Sequence, residues 1–521
     1  MVKKEQNYPS IFNDVIGPVM RGPSSSHCAA AVRIGRLARD LMGGEINNVL
    51  IEFDSHGSLA STHASQGSDM GLFGGFLGWE AMDERLVDSA TALQAAGVKV
   101  TIEIKDLGDA HPNTYRMTLQ NAQEEHHMMA ISTGGGMIEV IGIDGLPLSI
   151  HGDYYETLLF LSAGGQGLVE RLRQSITADE IRLHKSASLQ IIQIKAQHFL
   201  DDETLASLNT NYEIRYSKRL SPVLPVLSHK DIQIPFITCQ EMLAYNGDRK
   251  LALWQLALHY EAARGDISHQ QVFEQMKDIV SIMQDSIQRG IAGTRYADRI
   301  LGYQSGAFRD QMEAGHLLDG GLLNRMILYT SAMMEVKSSM GVIVAAPTAG
   351  ACGGLPGAVI GAAGEMELSI DEMTKAMLAA GMIGVFIAAH ATFAAEVGGC
   401  QAECGAGSGM AAAALVTLAD GSARQAVEAA SMALQNIFGL VCDPIANRVE
   451  APCLGRNVMA ASNALACANM SLAGYDPVIP LDETIQAMDA VGKSLPYELR
   501  CTALGGLSVT PTSKAIEKRL G

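Results

Sequence analysis

The chain has 521 residues, 48% of them hydrophobic, 18% charged and only 5% aromatic, enough for roughly two to four domains at about 150 residues each and too apolar to stay disordered. Its 38 Lys and Arg against 56 Asp and Glu leave a formal charge of −18; with no local basic stripe, nucleic acid is excluded as a partner. The amino terminus MVKKEQNYPS lacks the apolar stretch of a secretion signal, and nine cysteines are too sparse for a disulfide scaffold, so a cytoplasmic protein is expected.

The expected architecture is a multidomain α+β chain. Residues 1–150 read as an α/β domain: β-like runs at 49–53 (VLIEF), 98–104 (VKVTIEI) and 137–143 (MIEVIGI) alternate with helical stretches, and CAAAVRIGRLARDLMGG (28–44) has helical spacing with a Gly–Gly stop. Residues 151–225 tighten into strand (156–163), helix (168–176), two strands (180–186 and 188–196), helix (201–210) and strand (211–218). That β-α-β-β-α-β order is the split-βαβ signature of a ferredoxin-like module. It resembles the ACT domain, a small regulatory amino-acid-binding fold, which makes an amino-acid effector an expected ligand. Two prolines in SPVLPVLSHK (221–230) mark a linker, and residues 226–521 read as an all-α domain built from Ala/Met/Leu helices and Gly-rich loops. Ala376 to Ala395 lacks formal charge and is long enough to cross a bilayer. Its Ala/Gly composition, the internal His390 and the missing aromatic belt make it a buried core helix instead, so no membrane is expected.

The cysteines concentrate in the last domain: Cys352, Cys400, Cys404, Cys442, Cys453, Cys467 and Cys501. Three of the loops that hold them, EVGGCQAECG, GLVCDPIAN and EAPCLGRN, are rich in breaker residues. A thiol that only fills space belongs inside a helix, as Cys467 does in NALACANM; thiols beside Gly, Pro and Asp at helix ends can turn toward one point. Cys400 and Cys404 form the only close pair and no His lies in these loops, which disfavours zinc. Dispersed thiolates suit an iron–sulfur cluster held by the folded domain, with structural free cysteines as the competing reading.

Longer motifs narrow the choice. APTAGACGG (346–354), GGCQAECG (398–405), GLVCDPIANRVEAPCLGRN (439–457) and GGL (505–507) resemble the iron–sulfur L-serine dehydratases, or L-serine ammonia-lyases. So do RGPSSSHCAAAVRIG (21–35), GSLASTHASQGSD (57–69), HPNT (111–114) and STGGG (132–136) in the front block. The resemblance covers most of the chain, as a single polypeptide with an ACT-like insert. It implies an all-helical cluster domain paired with an α/β domain. It also implies a 4Fe-4S cluster on Cys400, Cys442 and Cys453, one iron left open as a Lewis acid, and no pyridoxal phosphate. Cys404 and Cys352 fall at positions that the family does not require as ligands. The implied reaction is dehydration and deamination of L-serine to pyruvate and ammonia; threonine, cysteine or another β-substituted acid is the alternative substrate, and an amino-acid-sensing iron–sulfur protein the non-enzymatic one.

Within this frame Ser24, Ser25 and Ser26, just before a helix, are placed to bind the substrate carboxylate, although serines there also serve as ordinary caps. His27 is the first candidate for proton transfer or carboxylate contact. Thr348, Ser132, Gly134, Gly135 and Gly136 are candidate pocket residues. Four positions depart from the family pattern: Gln66 replaces the histidine of GHGTD, Lys337 an asparagine, Cys28 a threonine and Leu504 an arginine. His63 could stand in for the missing histidine only if its stretch is helical. The tail AIEKRLG lacks the cysteine with which some relatives fill the open iron, so self-blocking is not expected. Small-residue helices and the ACT-like insert favour a homodimer.

Overall fold

The computed structural model describes residues 8–22, 24–209 and 212–520. Residues 1–7 of the amino-terminal stretch, Pro23 of the GPSSSH run, residues 210 and 211 at the expected helix–strand junction, and Gly521 lie outside that set. The chain divides into two compact units, one of residues 25–232 and one joining the residues up to 24 with 233–521. The amino-terminal segment thus belongs with the helices and not with the 1–150 block in which the sequence reading puts it. The cause is a buried acceptor. Glu261, inside the helix Leu253–Gly265, receives the Ser10 hydroxyl and, at 2.8 Å, the Ile11 N–H. Strand β1 (Val19–Arg21) continues the attachment by pairing antiparallel with a strand more than 300 residues later, Val19 opposite Val344.

In the unit of residues 25–232, six strands form one mixed sheet: β2 (Asn48–Asp54), β3 (Lys99–Lys105), β4 (Thr114–Gln120), β5 (Glu125–Gly134), β6 (Met137–Ile143) and β7 (Leu146–Ile150), in the order β3-β2-β4-β5-β6-β7. Only β2 and β3 run parallel. Alternation on β2 puts Val49, Ile51 and Phe53 on the buried face, against Ile34, Leu37 and Leu41 of the helix Ala30–Leu41. That helix crosses the helix Ser68–Phe76 at Gly35 and Gly75, where a Cβ on Gly35 would stand 2.9 Å from the Gly75 Cα. Glycine at both positions is what lets the two backbones touch. The sheet has three strands, β4, β5 and β7, that the sequence reading does not mark.

Next come β8 (Tyr155–Leu161), β9 (Glu180–Lys185), β10 (Gln190–Ala196) and β11 (Ile214–Leu220), with helices Gly165–Ser175 and Asp202–Asn209. Their order is β11-β8-β10-β9, antiparallel throughout, which is the expected split-βαβ arrangement. One face of this sheet, through Leu158, Phe160 and Ile191, shares a core with the six-stranded sheet; Leu159, Leu161 and Ile192 on the other face pack on the module's own helices.

The other unit is helical apart from β1 and its partner β12 (Val342–Val344). Its centre is the helix Ile370–His390, opened by a capping box in which Ser369 and Glu372 satisfy each other's backbone N–H groups. This is the expected core helix. It is the one described helix long and apolar enough to span a membrane, yet 78% of its most apolar window is buried inside the fold. It packs on the helix Ala406–Leu418, whose Ala411–Ala414 run is fully enclosed. Small side chains let such helices approach closely, and the loops between them carry the cysteines.

Candidate active site

The helical unit gathers five thiols. Cys400 caps a single wide π-helical turn, Gln401–Gly405, and the Cys404 sulfur lies 3.7 Å from its own. The Cys442 thiol interacts with Cys400 on one side and Cys501 on the other. Its backbone is clamped to the same segment, by Cys442 N–H to Leu499 O at 2.8 Å and Cys501 N–H to Cys442 O at 2.9 Å. Cys453, first residue of the helix Cys453–Leu472, feels the charge of Cys400, Glu403 and Cys501. Cys352 lies nearby but turns its thiol to the Met334 sulfur at 3.9 Å, while Cys467 sits inside its helix, beside Asn436.

Burial sets the electrostatics. Hydrogen bonds from Cys404 and Cys442, helped by the Arg456 guanidinium, hold the Cys400 thiol well below its ordinary value. Hydrogen bonds to Cys400 and Cys501, and then burial, push the Cys442 thiol the other way, and desolvation with the Cys400 charge does the same to Cys453. In a bare pocket, then, a single thiolate is tolerated; several become stable only beside a strong positive centre. Among the described residues the one group of three donors all within 4.8 Å of one another is Asp54, His56 and Asp106, which is elsewhere and largely exposed. No three of the described thiols are that close to one another. The donor set, all soft sulfur on buried loop and helix ends, fits an iron–sulfur cluster.

Asn457 braces this pocket. Its Oδ1 accepts the N–H groups of Gly353 and Gly354 at 3.1 and 2.9 Å, and its Nδ2 donates to Gly350 O and Cys453 O, both at 2.9 Å. Thr348 caps the short turn Ala349–Ala351 and donates to Glu403 at 2.8 Å. Burial, reinforced by the Cys400 charge, pushes the Glu403 carboxyl up to about 8. Lys337 ends the helix Leu322–Lys337 only 1% exposed.

The other unit holds the histidines. Ser25 and His27 are buried in a turn that leads into the helix Ala30–Leu41, and the Ser132 hydroxyl donates to Ser26 O at 2.6 Å. Gly134, Gly135 and Gly136 form the β5–β6 turn with φ of 106°, 61° and 91°, and Arg33 donates to Gly136 O at 2.6 Å. The serine run and the STGGG turn are therefore neighbours, whereas Ser24 and Thr348 fall in the helical unit. His27 Nε2 lies 3.0 Å from Thr62 Oγ1 and its Nδ1 3.2 Å from Ser26 Oγ, and burial lowers its pKa to about 4. The helix Leu59–Thr62 runs into a turn, in which His63 has helical φ and ψ and Gln66 N–H reaches Thr62 O at 2.9 Å. His63 Nδ1 is 2.8 Å from the Asp69 carboxylate.

Comparison with known proteins decides the family. The model of the serine dehydratase alpha chain matches residues 248–508. The L-serine dehydratase alpha chain of Peptoniphilus asaccharolyticus is 34% identical over 283 residues, which cover 54% of this chain and 97% of that protein. The chain belongs to the serine dehydratase alpha chain family. It is also 33% identical over 208 residues to the "Probable L-serine dehydratase, beta chain" of Bacillus subtilis, covering 93% of that protein. L-serine dehydratase 1 of Escherichia coli is 31% identical over 285 residues, 62% of its length. The serine dehydratase framework thus appears here with alpha-like and beta-like parts in one polypeptide.

Within this family frame the four departures have different surroundings. Leu504 is 57% exposed, Cys28 is wholly enclosed, Gln66 is half-buried, and Lys337 alone is a buried charge beside the thiols. Sequence reasoning sets Cys404 outside the ligand set and gives Cys501, Glu403, Asn457 and Asp69 no role. The signals available were the four-residue helical step from Cys400 to Cys404 and the position of Cys501 just ahead of the GGL motif.

Proposed function

We propose that this protein converts L-serine to pyruvate and ammonia with an iron–sulfur cluster held by Cys400, Cys442 and Cys453. One observation supports the reading: Cys400 and Cys442 share a buried cluster, and the nearby buried Cys453 feels the Cys400 charge, in a chain of the serine dehydratase alpha chain family. When bound, the cluster supplies an open iron that draws electron density from a hydroxyl oxygen and makes it a better leaving group.

The chain's own residues account for the rest. Asn457 and the Cys442–Cys501 clamp hold the sulfur-bearing segments in place before any metal arrives. The weakly acidic Cα proton needs a positioned base. His63 suits that role better than His27. Asp69 fixes its Nδ1 as the protonated nitrogen, leaving Nε2 to accept a proton, and its side chain is 20% exposed. His27 is enclosed, with both ring nitrogens engaged and a basicity that burial reduces. It serves as a positioning residue, through Thr62, for the segment that carries His63. Ser25, Ser26 and the Gly134–Gly136 turn are assigned to the substrate side of the same unit. Loss of the proton and of hydroxide gives aminoacrylate, which tautomerises and hydrolyses in water without pyridoxal phosphate.

The split-βαβ module supports an ACT-like regulatory role with an amino-acid effector, and exposed Tyr475, Val478 and Tyr497 provide apolar surface for a homodimer. The test is anaerobic reconstitution of the full chain followed by assay with L-serine. Stoichiometric pyruvate and ammonia are expected; a fully loaded protein that releases neither contradicts the reading.

A further inference from the structure

Lys337 is the last residue of its helix, its side chain 1% exposed, and its Nζ has no hydrogen-bond partner among the described residues. An ammonium carries three donors, and enclosing one without an acceptor is costly. Its surroundings do not relieve that cost. The charge of Lys337 is felt by Cys352, Cys453 and Glu403, so it lies near the thiol pocket. Yet the Cys352 thiol is turned to Met334 and the Glu403 carboxyl is engaged by Thr348. The neighbouring cation Arg456 differs in having a carboxylate of its own, Asp443, at 2.6 Å. Gly22 packs closely against this residue: a Cβ there would lie 2.5 Å from the Lys337 carbonyl oxygen and 3.4 Å from its Cγ.

We propose that Lys337 Nζ binds the α-carboxylate of the amino-acid substrate, so that the buried cation is satisfied when substrate is bound. The assignment rests on the function proposed above and adds to it a residue that fixes the substrate class as an acid. An ammonium in a water-poor pocket is a point-charge anchor that discriminates strongly between a carboxylate and its neutral amide. Charge compensation of the thiolates is the competing role, and the two roles differ in what removal of the cation does to iron.

The test uses the anaerobically reconstituted full chain and compares calorimetric binding of D-serine and D-serinamide, with iron content measured alongside. Wild type should prefer D-serine by at least about tenfold. In Lys337→Met the preference should fall to near one with iron unchanged, and in Lys337→Arg it should persist; Lys337→Gln carries the same expectation as Met should that variant not fold. A wild type without the preference, a Lys337→Met protein that keeps it, or one that loses iron overturns the proposal. Turnover of L-serine by wild type separates failure of this assignment from failure of the enzymatic reading, since only the latter predicts none.

Discussion

The Asn457 amide nitrogen stands 3.5 Å from the Cys404 sulfur, while the oxygen of the same side chain receives the backbone N–H groups of Gly353 and Gly354. One buried side chain thereby ties the turn that follows Thr348 to the helix that begins at Cys453. Asn457→Leu keeps the volume and strands these partners. Each buried group left without a partner costs about 1–3 kcal/mol, so a loss of about 4 kcal/mol is expected in urea denaturation of the metal-free protein. Asn457→Asp preserves the acceptor and should lose markedly less. Equal losses would show that the oxygen contributes nothing.

Glu261 makes the matching attachment for the amino-terminal segment, through Ser10 and Ile11. Glu261→Ala should destabilise the protein by about 3 kcal/mol. Limited proteolysis should also cut within residues 8–22 before any other site. Protection of that segment in the variant would mean that β1 pairing alone holds it.

His27 gives a pH dependence with a definite sign. Burial lowers its pKa from 6.5 to about 4, so between those values the unfolded chain binds more protons than the folded one. The stability contribution is complete above pH 6.5 and is lost as the pH falls toward 4. By linkage the shift is worth about 3 kcal/mol. Wild type should therefore lose that much more than His27→Gln between pH 7 and pH 4.5 in chemical denaturation. Parallel losses would place the acid sensitivity elsewhere.

The division of labour between the two histidines is testable by rate. His63→Gln should lower kcat by roughly a hundredfold to ten-thousandfold, the usual worth of a general base, with the iron content intact. Asp69→Asn, which removes the tautomer-fixing carboxylate, should lower kcat less than His63→Gln does. A His63→Gln enzyme within a few-fold of wild type would return the proton to His27.

Much of this was written in short-range patterns. Val49, Ile51 and Phe53 alternate and form a half-buried strand, and the run from Glu156 to Lys218 orders its elements as the four-stranded module requires. Strands β4 and β5 escaped because Met117, Met128 and Met129 fit helix or strand equally well; pairing of β4 with β2, and of β5 with β4, decides. The place of the amino-terminal segment was hidden for another reason. The Val19–Val344 pairing and the Ser10–Glu261 contact join residues hundreds of positions apart, and no local window contains them. The three thiols Cys400, Cys442 and Cys453 were legible from their motifs. The unpartnered state of Lys337 was not, since it depends on where Thr348, Met334 and Asp443 direct their neighbours.

Iron and sulfide analysis of single Cys→Ser variants, reconstituted anaerobically with their visible absorbance recorded, tests the centre of this account most directly. Cys400→Ser, Cys442→Ser and Cys453→Ser should each fail to retain the cluster, while Cys352→Ser and Cys467→Ser should load as wild type does. Full iron loading in any of the first three would contradict the assignment.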